Sequence, residues 1–220
     1  MRGPTSAKTF ASDARGIAAV EFALVLPLLL LMLFGSYDVS RMVMANQKVG
    51  VAAGTVAELV AAQPTGTPQP QANITAMVAA GTVAMAPFGA SATTVTVSAI
   101  DLTTVKGTCC TATVNWSVTQ GGTLRPCNTV FTQTTLDAAP SLTSVPAALA
   151  SPPAAVQALV PETAIIVTDV TFSYAPIAPG LDKVLPATLH RTTYTYPRLA
   201  GQVEMTGPFV AVAGQTGKVC

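Results

Sequence analysis

Glu21 is the residue whose placement most needs a chemical reason. It heads sixteen residues without a charge, Phe22 to Tyr37, which include Leu28-Leu29-Leu30-Leu31-Met32-Leu33-Phe34. A carboxylate within a membrane-spanning helix costs about 2.5–3.5 kcal/mol at the bilayer centre and less near the interface. Such a group can meet a cation in the low-dielectric interior, where opposite charges attract strongly. The plainer alternative is that it snorkels to the headgroup level. The single histidine, His190, is the next residue to weigh. Serines and aspartates accompany it in the inventory, but no Gly-x-Ser-x-Gly elbow appears and nothing places a triad together. Beside Arg191 on a predicted strand, His190 reads as a surface or sheet-face residue. Cys109, Cys110, Cys127 and Cys220 contain no Cys-x-x-Cys pair, so with one distant histidine they do not read as a metal site. The expectation is a protein that is not an enzyme and uses no cofactor or metal.

Composition narrows the class. The 220 residues allow one domain or two small ones. Charged residues are 10% of the chain, against about 25% in an average soluble domain. Half the residues are hydrophobic but only 5% are aromatic, so the apolar content is mainly Ala, Val, Leu and Ile. The net charge of +1 argues against a nucleic-acid partner, which needs a basic face.

The hydrophobicity is concentrated near the N-terminus. Counted from Gly16, the apolar run reaches Tyr37 with Glu21 as its one interruption. A bilayer core of about 30 Å needs about 20 helical residues. This is one transmembrane helix; the rest of the chain is too polar, or too broken by Pro and Gly, to span again. The segment before it carries Arg2, Lys8 and Arg15, so the positive-inside rule puts that end in the cytoplasm. The rival is a cleaved signal peptide, which needs small residues in an A-x-A-like pattern after the run. Gly35-Ser36-Tyr37-Asp38-Val39-Ser40 fits that pattern poorly.

A more specific pattern surrounds Glu21. A basic leader ends in Arg15-Gly16, followed by Ile17-Ala18-Ala19-Val20-Glu21-Phe22 and the apolar run. Glycine with glutamate five residues on, at the head of a hydrophobic helix, resembles a type IV prepilin processing site. The wider stretch from Arg15 to Pro27 is similar to the TadE-like family of tight-adherence (Flp) pilus assembly proteins. The likeness runs from about Arg15 to Arg41, including Phe34-Gly35 and the segment Asp38 to Arg41. Beyond that, only the general order of helices and strands matches. The resemblance implies that prepilin peptidase cuts after Gly16 on the cytoplasmic side, giving Ile17 a cationic amine. It implies an assembly role for Glu21 and Phe22, with the carboxylate attracting the amine of a neighbouring subunit. It also implies other pilin-like subunits and the assembly machinery as partners.

Pro27 lies inside the apolar helix, where it removes one backbone hydrogen bond and introduces a kink. Membrane helices tolerate this when neighbours compensate. The helical pattern continues past Tyr37: Val39, Val43, Asn46, Gly50, Ala53, Ala57 and Val60 recur at spacings of four and three. Gly50 and Gly54 weaken this seam and Pro64 ends it. A helix from Ile17 to Ala62 is about 69 Å long at 1.5 Å per residue. That is the long-helix plan of pilins, although a juxtamembrane helix supporting a periplasmic domain has the same periodicity.

The chain thus divides into a cytoplasmic basic leader (1–16), a transmembrane helix with its periplasmic extension (17–62), a Pro-rich linker (63–71) and a periplasmic α+β domain (72–220). Within that domain Ala72 to Ala86 reads as a short helix with Ile74, Met77, Val78 and Val83 on its apolar side. Thr93 to Ala99 alternates with Val95, Val97 and Ala99 on one face. Cys110, Ala112, Val114, Trp116 and Val118 alternate with Thr and Ser, and Gly121-Gly122 then signals a turn. Further strands cover about Ile165 to Tyr174 and Leu189 to Tyr196. A Pro/Ala/Ser-rich insertion occupies about 138–161. The expected fold is α+β: a long N-terminal transmembrane helix followed by a small antiparallel sheet packed on helix, pilin-like in plan.

An oxidising periplasm makes the four cysteines disulfide candidates, with three possible pairings. Cys109 and Cys110 are adjacent, so on a strand they point to opposite faces and seek different partners. Two functional readings result. The first is a minor pilin-like (pseudopilin) component of tight-adherence pilus assembly, anchored in the bacterial inner membrane and processed by prepilin peptidase. The second is an unprocessed single-pass protein with a periplasmic binding or tethering domain.

Overall fold

The computed structural model describes residues 15–105, 108–125, 132–134, 144–146, 163–178, 180–198, 203–206 and 215–219. The leader up to residue 14, Cys127, Cys220 and the greater part of the expected insertion at 138–161 lie outside them. The fold is α+β. Its elements are α1 (Arg15–Ala61), α2 (Gln71–Ala84), β1 (Thr93–Val105), β2 (Thr108–Gln120), β3 (Thr132–Thr134), β4 (Ser144–Pro146), β5 (Thr163–Ser173), β6 (Thr188–Thr195) and β7 (Gln215–Val219). The chain forms two compact units: residues 1–43 with 175–186, and residues 44–174 with 187–220.

In the first unit α1 is bare. Every residue from Gly16 to Phe34 is exposed, and the helix continues through Pro27. No described residue covers this leucine-rich surface, which calls for apolar contacts from lipid or from other helices. Among the described residues α1 is the one helix long and apolar enough to cross a membrane. The first buried residue is polar: Asp38, which lies beneath the segment 175–186.

The second unit holds the core. Five antiparallel strands lie in the order β6-β5-β1-β2-β7, and β3 and β4 form a separate parallel pair. The strand β7 is absent from the sequence expectation, because Gln215-Thr216-Gly217-Lys218-Val219 is too short and too polar to show a period-two signal. In α1 the buried positions are Ala45, Val49, Ala52, Ala53, Val56, Ala57, Val60 and Ala61. This corrects the first half of the expected seam: Val39, Val43 and Asn46 are exposed, while Ala53, Ala57 and Val60 are buried. A seam repeating every 3.5 residues drifts around a straight helix of 3.6 residues per turn. The observed face is instead the broad stripe of a helix on a globular core.

On α2 the inward residues are Ile74, Thr75, Val78, Gly81 and Thr82. Val83, expected on the apolar side, is 73% exposed. Gly81 decides which face turns inward. A Cβ placed there would lie 2.7 Å from Val56 Cγ2 of α1 and 3.1 Å from Val95 Cγ2 of β1. The missing side chain lets these three elements meet. The expected linker follows a fixed path. Gln69 N–H donates to the Glu204 carbonyl at 2.9 Å, and Thr206 N–H donates to the Gln69 carbonyl at 2.9 Å. The Gln69 amide donates to the carbonyls of Pro64 and Thr67.

The sheet departs from simple alternation. Residues 95–100 of β1 are all buried, as are 116–119 of β2. Thr96 faces Thr119 at 2.6 Å between hydroxyl oxygens, and Ser98 faces Ser117 at 2.9 Å. Cross-strand partners thus satisfy the hydroxyls that burial would otherwise leave without water. The turn at Gly121, with φ +71°, folds the following residues over this polar face. Gly122 packs so closely there that a Cβ would lie 2.6 Å from Thr119 Oγ1.

Candidate functional site on the long helix

The sequence-predicted site residues Gly16, Ile17, Glu21, Phe22 and Pro27 all lie on the exposed half of α1. Ile17 is 61% exposed and Phe22 59%. Ile17 and Glu21 are four residues apart, hence neighbours on one helical face. No described residue of the chain hydrogen-bonds or pairs with Glu21. A carboxylate on an otherwise apolar surface, with no partner among the described residues, is suited to a cation supplied from outside.

The apolar run ends in a built junction. The Asp38 carboxylate accepts the Ile177 N–H at 3.0 Å and the Ala178 N–H at 2.7 Å. The Arg41 guanidinium lies 3.8 Å from the same carboxylate and stacks over the Tyr37 ring, 5.8 Å from its centroid. Burying a charge is tolerated where it is paired and hydrogen-bonded, and Asp38 has both. Sequence reasoning placed Asp38 only within a family-like segment and missed this anchoring role. The available signal was an acidic residue directly after the apolar run with arginine one turn on.

A second polar cluster lies on the β-sheet. Arg125 is buried and its Nη2 donates to Asp169 Oδ2 at 2.6 Å. Thr192 Oγ1 donates to Asp169 Oδ1 at 2.6 Å, and His190 Nε2 lies 3.9 Å from that oxygen. Adjacent register positions explain the grouping: Thr96 and Thr192 flank Asp169 on neighbouring strands. Tyr194 stands nearby, its hydroxyl pKa pushed above the usual value chiefly by burial. Arg125 opposes that shift and Asp169 adds to it. Both oxygens of Asp169 are engaged, so the cluster ties the turn after Gly121 to β5 and β6. His190 is 35% exposed at its edge, a sheet-face residue brought beside a carboxylate.

Cys109 and Cys110 are consecutive on β2, while Cys127 and Cys220 lie outside the described residues. The expected disulfides find no support: no cysteine pair is present among the described residues. Adjacent strand positions cannot themselves be bridged without distorting the backbone, which is the physical reason that half the set supplies no pair. Among the described residues no three His, Cys, Asp or Glu side chains gather as a possible metal-ligand set.

Residues 16–58 match the family model of the TadE-like proteins. The TadE-like stretch contains Gly16, Glu21, Pro27, the Asp38 junction and the start of the buried face. It ends before α2 and the sheet. The apolar half of the same stretch points to anchoring by a single membrane pass. No curated protein and no solved structure matches the chain.

Proposed function

We propose that this protein is a minor pilin-like subunit, a pseudopilin, of a tight-adherence pilus assembly system. In this reading α1 spans the bacterial inner membrane with its N-terminus in the cytoplasm and the sheet domain in the periplasm. Prepilin peptidase removes the basic leader after Gly16, and Ile17 becomes the N-terminal residue. The freed amine of one subunit meets Glu21 of another inside the membrane, where low dielectric strengthens the attraction and sets the stagger between helices. The protein acts by packing, without a catalytic step.

The observation that carries this reading is Glu21. It is a lone carboxylate five residues after Gly16, on a helix surface that no described residue covers, within the TadE-like stretch. N-terminal sequencing after co-expression with a prepilin peptidase tests it. The expected first residue is Ile17. An intact Met1 under those conditions overturns processing and leaves the unprocessed tethering domain as the reading.

A further inference from the structure

We infer that the segment Ala175–Pro186 is a second membrane contact, a loop pinned to α1 at Asp38 so that it rests in the interfacial layer of the bilayer that α1 enters. The inference rests on α1 crossing a membrane and is independent of any pilus role.

The first support is depth. Gly16 to Tyr37 spans about 33 Å at 1.5 Å per residue, close to the hydrocarbon thickness of about 30 Å. The end of that run therefore marks a bilayer boundary. Asp38 is the next residue, and its carboxylate holds the Ile177 and Ala178 N–H groups. Loop and helix also form one compact unit. The loop is thus fixed to α1 at the level where the helix leaves the hydrocarbon.

The second support is surface chemistry. The loop exposes large apolar side chains: Ile177 is 58% and Val184 77% exposed. Leu181 and Leu185 are half-buried, and Asp182 and Lys183 are exposed and opposite in charge. An exposed apolar patch on a soluble surface calls for a partner. Here Ile177 is held at Asp38, one residue beyond the apolar run of α1, at the level that the lipid around α1 reaches. Tyr37, 54% exposed, and Arg41 beside it are the aromatic and cationic types found at headgroup level. Gly180, with φ +86°, turns the chain into the short 3-10 turn Leu181–Lys183, which leads directly to exposed Val184. With its charges balanced, the loop binds by apolar burial and has no need of anionic lipid.

The test uses the full chain in lipid vesicles, with tryptophan as a depth probe. Val184→Trp and Ile177→Trp both fall on exposed positions, and Trp116, buried in the sheet domain, supplies a constant background. The expected result is blue-shifted emission, quenching by lipids brominated near the headgroup end of the acyl chain, and shielding from acrylamide. These effects should be equal in zwitterionic and anionic vesicles. Adding Asp38→Ala to Val184→Trp should abolish the bromolipid quenching while α1 stays inserted. Water-like emission open to acrylamide at both positions overturns the inference. So does shielding that appears only when other pilus subunits are added, since the occupant is then protein. Quenching that survives Asp38→Ala overturns the pinning role of Asp38.

Discussion

The carboxylate of Asp38 accepts the backbone N–H of Ala178 at 2.7 Å across 140 positions of sequence. It also accepts the N–H of Ile177. One side chain at the end of an apolar helix thereby fixes the path of a distant loop.

Replacing that side chain should release the loop. In Asp38→Ala two backbone N–H groups lose their acceptor, at about 1–3 kcal/mol for each group left buried. Amide hydrogen exchange at Ile177 and Ala178 should accelerate about tenfold or more, with the sheet amides unchanged. Asp38→Asn, which keeps one acceptor oxygen, should fall between. Unaltered exchange in Asp38→Ala would show that other contacts hold the loop.

Gly81→Ala tests the close approach of α1, α2 and β1. Alanine gains about 1 kcal/mol of helix propensity over glycine. Its Cβ, however, would press on Val56 and Val95, both branched at the point of contact. Overpacking of this kind costs about 1–3 kcal/mol. The expected outcome is a lower denaturant midpoint despite the better helix former. A rise in the midpoint would mean that the two helices can separate freely.

Asp169→Asn should be among the most damaging single changes in the sheet domain. It leaves buried Arg125 without its carboxylate and weakens the acceptor of Thr192. Removing one partner of a buried pair costs about 3–5 kcal/mol. The double replacement Arg125→Met with Asp169→Leu should recover much of that loss, because no charge is stranded. Denaturant unfolding of the three proteins measures the difference, and equal losses in single and double variants would contradict the pairing argument.

Alkaline pH should weaken the fold through Tyr194. Burial holds its hydroxyl pKa above the usual value, so the unfolded chain ionises first. The stabilisation is fully present below about pH 10, the unfolded value, and is lost as pH rises through the higher folded value. Tyr196 is raised by burial in the same sense. The fall in stability above pH 10 should be shallower in Tyr194→Phe than in the parent. Superimposable pH profiles would remove Tyr194 from the account.

Glu21→Ala separates anchoring from assembly. The change makes α1 more apolar, so membrane insertion should be retained, as read by resistance to carbonate extraction. Pilus assembly should be lost. Normal piliation in this variant would remove the role assigned to Glu21.

The anchor, the α+β class and four of the five strands of the main sheet were legible in the sequence. Each rests on a local quantity: apolar length, a period of 3.6, or a period of two. The odd placement of Glu21 was legible too, because one carboxylate in an apolar run is visible without a fold. The alternation in β1 and β2 was legible, but it carried no information on the fate of the polar face. Thr96, Ser98, Ser117 and Thr119 are buried and satisfy one another across the strand pair.

Tertiary structure decided which polar groups go inside and with whom. Asp38 meets Ile177, Arg125 meets Asp169, and the Trp116 indole N–H donates to the Val203 carbonyl at 2.6 Å. Gly81 owes its place to Val56 and Val95. Each of these pairings joins residues far apart in the chain. Local periodicity says which face of an element is apolar; it carries no information about which distant segment closes over a polar residue. By itself the sequence determined an apolar helix with one anomalous carboxylate. Only the folded chain showed that the next acidic residue, Asp38, is spent on holding its own loop while no described residue engages Glu21, because burial and hydrogen-bond satisfaction are properties of the assembled structure.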